Sequence, residues 1–64
     1  MKNPKFELFR GKDRKFYFHL RARNGEILLN SQGYTSKDKC LNGIFAIKDI
    51  AKDAPVQELS EVAV

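Results

Sequence analysis

The sequence predicts an α+β fold: an antiparallel sheet of three strands, one helix packed on one face of it, and a short strand near the chain end. Three observations predict it. Residues 15–23, KFYFHLRAR, alternate between apolar and polar; Asn24-Gly25 follows at once as a hairpin signal; and after Ser36 the apolar spacing changes to the helical period.

The first strand covers residues 5–10, KFELFR, and a polar GKDR loop at 11–14 separates it from the second. In the second strand Phe16, Phe18, Leu20 and Ala22 share one face, while Tyr17, His19, Arg21 and Arg23 share the other. Asn24 and Gly25 both tolerate the positive φ of a type I′ turn, so a two-residue hairpin is expected. It fixes the register against a third strand over residues 26–32, EILLNSQ. Arg23 then faces Glu26, Ala22 faces Ile27, Leu20 faces Leu29 and His19 faces Asn30. Ile27 and Leu29 complete the inner face; Glu26, Leu28 and Asn30 complete the outer one. Arg23–Glu26 becomes a cross-strand ion pair contributing a few tenths of a kcal/mol. The first hairpin admits two registers. A four-residue loop puts Phe9 beside Phe16, whereas a bulge puts Phe6 and Leu8 on that face, and the second is favoured.

Ser36 is a good N-cap for a helix over residues 37–52. Cys40, Ile44, Ile47 and Ala51 form the centre of its apolar stripe, flanked by Leu41 and Ile50. Gly43 lies at the edge of the stripe, where it costs about 1 kcal/mol against alanine. That cost signals a close approach of the helix backbone to the sheet or to a partner. Phe45 lies off the stripe and waits for a contact outside this unit. Pro55 ends the helix by driving residue 54 out of the α region. The tail PVQELSEVAV permits a short strand carrying Val56 and Leu59, and a strand needs an edge to pair with, its own sheet's or a neighbour's.

With 64 residues the chain is a single domain, with its core over about 5–59. A domain this small buries only about 60% of its unfolded surface. Cys40 is the lone cysteine, so no internal disulfide forms, and with the lone His19 it makes a poor metal set; no cofactor is expected. A second copy of the chain is the remaining source of core. The charge of +4 and pI near 9.5 favour acidic partners. No apolar run reaches the roughly 20 residues of a membrane span, and the start lacks a signal-peptide core. Cytoplasmic residence, with no membrane partner, is expected.

Taken together, FYFHLRARNGEILLNSQGYTSKDKCLNGI resembles the YegP-like family of small bacterial proteins. The motifs that carry the resemblance are Asn24-Gly25-Glu26, Ser31 with Gly33-Tyr34, Ser36-Lys37 and Asn42-Gly43-Ile44. The resemblance implies a β-β-β-α-β unit completed by a homodimer with swapped C-terminal strands, the segment near 55–60 pairing with the other subunit. It implies no activity, cofactor or catalytic residue. Phe45 departs from the family, whose helix commonly has a polar side chain just after N-G-I, and this adds Phe45 to Val56 and Leu59 as candidate dimer contacts.

Catalysis finds little support. A nucleophile needs a base within hydrogen-bond reach, yet Cys40 belongs to the helical stripe and His19 to the opposite sheet face. Cys40 reads as a buried structural residue and His19 as a solvated cross-strand one. The glycines stand singly, with no phosphate-loop spacing, and the helix start after Ser36 reads as an ordinary cap. The protein is therefore expected not to be an enzyme. The strongest binding candidate is the outer sheet face, with Tyr17, His19, Arg21, Arg23, Leu28 and Asn30. Such a face suits an ordinary half-solvated sheet, a protein or small-ligand contact, or single-stranded nucleic acid stacked on Tyr17 with Arg21 and Arg23 on phosphates.

Overall fold

The computed structural model describes residues 3–60. Strands β1 (Lys5–Arg10), β2 (Phe16–Arg21) and β3 (Ile27–Asn30) form an antiparallel sheet in the order β1-β2-β3, and helix α1 (Lys37–Ile50) covers one face. This is the α+β architecture expected, apart from the terminal strand. The favoured register of the first hairpin holds. Phe6 pairs with Leu20, Leu8 with Phe18 and Phe9 with Tyr17, so Phe6 and Leu8 pack against the core.

Both hairpins use the same loop plan. In the first, the Gly11 amide donates to the Lys15 carbonyl (2.8 Å) and the Arg14 amide to the Gly11 carbonyl (3.0 Å). In the second, Ala22 donates to Glu26 (2.7 Å) and Gly25 to Ala22 (3.0 Å). Each is a three-residue loop whose last residue is left-handed: Arg14 at φ 68° and Gly25 at φ 91°. An Asx side chain braces each, Asp13 Oδ1 accepting from the Lys15 amide (3.1 Å) and Asn24 Oδ1 from the Glu26 amide (3.0 Å). The expected type I′ turn is thus corrected, since Asn24 keeps negative φ. Arg14 occupies the position that glycine fills in the second loop. Arg14→Gly is expected to raise stability by about 1 kcal/mol, read as a higher thermal midpoint; a lowered midpoint would contradict this account of the loop.

The longer loop moves the end of the second ladder. Arg21, not Ala22, pairs with Ile27, and a bulge lies between that pair and Leu20–Leu29. Leu20–Leu29 and His19–Asn30 pair as the sequence suggested. Arg23 sits in the loop, no Arg23–Glu26 ion pair forms among the described residues, and Ile27 leaves the inner face to become 46% exposed. β3 also stops at Asn30, short of residue 32, because the Ser31 hydroxyl accepts from the Phe18 amide (2.9 Å). Tyr34 then returns to β2, exchanging two 2.8 Å backbone bonds with Phe16.

Ser36 caps α1, its hydroxyl accepting from the Lys39 amide at 3.2 Å. The core lies between this helix and the inner sheet face: among the described residues only Phe18, Cys40 and Ile44 are fully buried, with Leu41, Ile47 and Tyr34 packed around them. Ile50 and Ala51 are exposed, contrary to the expected stripe, because the last turn stands clear of the packed cluster. Gly43 answers to Tyr34. A Cβ there would lie 2.6 Å from the Tyr34 hydroxyl and 3.0 Å from its Cζ. Tyr34 is stacked on Phe18, with ring centroids 6.2 Å apart.

The helix gives way to a turn over 51–53, and residues 54–60 form no strand in the single chain. Val56 is wholly exposed and Leu59 69% exposed. Among the described residues β1 is an open sheet edge, and an apolar groove of about 540 Å³ runs between it and α1. No helix among the described residues is long and apolar enough to cross a membrane.

Candidate functional site on the outer sheet face

The register that turns Phe6 and Leu8 inward turns Glu7 and Phe9 outward, beside His19 and Tyr17. Glu7 becomes the centre of the face. Its Oε1 accepts from His19 Nε2 at 2.6 Å and from Arg21 Nε at 2.9 Å, while Oε2 lies 3.7 Å from the Lys5 ammonium. An ionised carboxylate only accepts, so Nε2 is the protonated ring nitrogen. The hydrogen bond from His19, then that from Arg21, holds the Glu7 carboxyl down to about 2. Arg21 is engaged a second time, donating from Nη1 to the Gly25 carbonyl at 2.6 Å, which ties the cluster to the second loop.

The depressed carboxyl sets a pH window. Glu7 titrates near 4.5 in the unfolded chain and about 2 in the folded one, so its contribution is complete above 4.5 and lost as pH falls through about 2. Glu7→Gln is expected to flatten the acid limb of stability between about pH 5 and pH 2 in thermal melts. Parallel acid limbs in the two proteins would deny Glu7 this role.

Tyr17 is less free than a stacking platform would need. Its hydroxyl donates to Asp13 Oδ2, a bond that lowers the Asp13 carboxyl and raises the Tyr17 phenol. Its ring lies over two glycines: a Cβ at Gly11 would come within 2.8 Å of Cε1, and one at Gly33 within 3.0 Å of the hydroxyl. Phe9 stacks on it with centroids 5.9 Å apart, and lies 5.2 Å from the His19 ring. Phe9 is 42% exposed and Leu28 60%. The fold therefore gathers Tyr17, His19 and Arg21 on β2, with Leu28 and Asn30 on β3, while Arg23 goes to the loop. Cys40 lies in the core beneath the inner face, where burial raises its thiol.

Residues 12–58 match the family described as Domain of unknown function (DUF1508). The chain belongs to this family. A UPF0339 protein of Treponema denticola is 44% identical over 55 residues, which cover 86% of this chain and 95% of that protein. The Yersinia pestis UPF0339 protein YegP is 35% identical over 54 residues, 84% of this chain and 48% of YegP. The NMR solution structure of a protein from Haloferax volcanii superposes with a TM-score of 0.79 at 38% identity, covering 92% of this chain and all of that one. The YegP-like resemblance is thereby shown.

For this DUF1508 chain, the sequence reading missed Glu7 and Asp13. Glu7 was within reach: once Phe6 and Leu8 are placed inward, strand alternation puts it opposite His19. Asp13 was not, because its bond to Tyr17 depends on the loop conformation.

Proposed function

We propose that this chain is a homodimeric, non-enzymatic binding module that takes a protein segment or small ligand on its outer sheet face. The observation that carries the reading is a face on which charge is already paired while apolar surface is not. Glu7 occupies His19, Arg21 and Lys5, whereas Phe9, Ile27 and Leu28 stand 42–60% exposed around them. Exposed apolar groups rimmed by polar ones suit a protein or small-ligand contact. Nucleic acid is less well served. Arg21 is spent on Glu7 and Gly25, and a carboxylate stands in the middle of the row where phosphates would run.

The homodimer is supported by the small core and the exposed Val56 and Leu59, with Phe45, 57% exposed, as a further contact. In this reading the segment near 55–60 crosses to the partner subunit and pairs with its sheet. The free, buried Cys40 suits a reducing cytoplasm.

Two measurements test the binding reading. A ligand or protein captured by the wild-type chain should be lost by Leu28→Asp at an unchanged melting midpoint; equal capture overturns the sheet-face assignment. Labelled single-stranded RNA, titrated at two salt concentrations, should show no phosphate-driven binding. Binding that weakens steeply with salt would favour nucleic acid instead.

A further inference from the structure

The groove between β1 and α1 lies on the inner side of the sheet, and its volume of about 540 Å³ falls within the range of small-ligand sites. Phe6 and Leu8 of β1 and Leu41 and Ile44 of α1 form its walls, and Lys5 and Lys48 stand at its rim. Among the described residues no acidic side chain lines it, and none pairs with Lys48. The Lys5 ammonium leans instead towards Glu7, 3.7 Å away on the outer face. Lys48 follows Ile44 by four residues, so its methylene stem continues the same helical face and its ammonium reaches water beyond it. Apolar walls that end at a cation select an amphipathic anion. The walls also set its size. β1 advances about 10 Å from Lys5 to Leu8 and α1 about 10 Å from Leu41 to Lys48, the span of an extended alkyl chain of about eight carbons.

We propose that this groove binds a free aliphatic carboxylate of medium chain length, its alkyl chain between the β1 and α1 walls and its carboxylate on Lys48. Magnitudes favour this ligand over a hydrophilic anion. Each methylene buried against the walls tightens binding about fourfold, whereas an exposed ion pair contributes only a few-fold in all. The walls therefore supply most of the affinity, and Lys48 selects the acid over its neutral analogues. The site lies across the sheet from the outer face and does not rest on the binding reading given for that face. Nor does it need the dimer, since a strand added at a sheet edge pairs through backbone groups, while this ligand uses inner-face side chains. A second copy seated in the groove is the rival occupant.

A chain-length series followed by methyl NMR tests the proposal, with hexanoate, octanoate, decanoate and dodecanoate as probes. The Kd should fall about fifteenfold from hexanoate to octanoate and level off beyond decanoate, where added methylenes extend out of the groove. Shift changes should centre on the methyl groups of Leu8, Leu41 and Ile44. Lys48→Glu alters an exposed side chain and should weaken octanoate about fivefold while leaving octan-1-ol unchanged. Four results would overturn the assignment. A Kd that keeps falling through dodecanoate means unselective association with apolar surface. Equal octanoate binding by wild type and Lys48→Glu removes the carboxylate from Lys48. Shift changes confined to Leu28 place the ligand on the outer face, which would support the function proposed for that face and leave the groove without one. An octanoate affinity that drops as the protein is concentrated from low to high micromolar gives the groove to a second copy.

Discussion

Cutting Phe18 back to alanine should leave the chain largely unfolded at 37 °C. Phe18 is 1% exposed, stacks on Tyr34 and meets Phe6 edge-on with centroids 5.9 Å apart. Removing a buried phenylalanine costs about 3–5 kcal/mol, from lost transfer energy plus the cavity left behind. A domain of this length has about 3–10 kcal/mol in total. Among the described residues only Cys40 and Ile44 are buried with it, so nothing nearby can collapse into the gap without uncovering one of them. Circular dichroism should show a shallow, non-cooperative melt. A cooperative transition near the wild-type midpoint would mean that the core is centred elsewhere.

Gly43→Ala should lower stability by up to about 2 kcal/mol, although alanine is the better helix former. Two effects oppose each other here: a gain of about 1 kcal/mol in helix propensity and an overpacking cost of about 1–3 kcal/mol. The second wins because Tyr34 cannot swing aside. Its backbone is bridged to Phe16 and its ring is held on Phe18. The midpoint should fall by about 4–8 °C for each kcal/mol. Tyr34→Phe in the same background removes the 2.6 Å hydroxyl contact but keeps the 3.0 Å contact at Cζ, so the double variant should regain only part of the loss. A raised midpoint for Gly43→Ala would show that helix propensity prevails and that the close approach is not needed.

The parts of this fold that follow short-range periodicity could be read from the residues. Alternation in β2 separated Phe16 and Phe18 from Tyr17 and His19, and Ser36 announced the helix because capping is local chemistry. Asn24-Gly25 was read correctly as a hairpin but as the wrong kind. The two-residue and three-residue loops both put glycine at a left-handed position, and they differ by one residue of register. That residue sent Arg23 into the loop and Ile27 out of the core. The helical wheel carried Ile50 and Ala51 into the stripe because periodicity says nothing of where the opposing sheet ends. The Glu7 cluster spans twelve residues, between Glu7 and His19, and becomes legible only once the register of the first hairpin has been chosen.

The strand order β1-β2-β3 also bears on how the chain reaches its fold. Every ladder joins neighbours along the chain across a loop of the same design, so only short closures precede the first stabilising pairings. The packing of α1 back on β1 and β2 adds longer closures, which places folding between the rates of helical bundles and of all-β domains. The meander can thus form first, with α1 closing over it once β1 and β2 are paired.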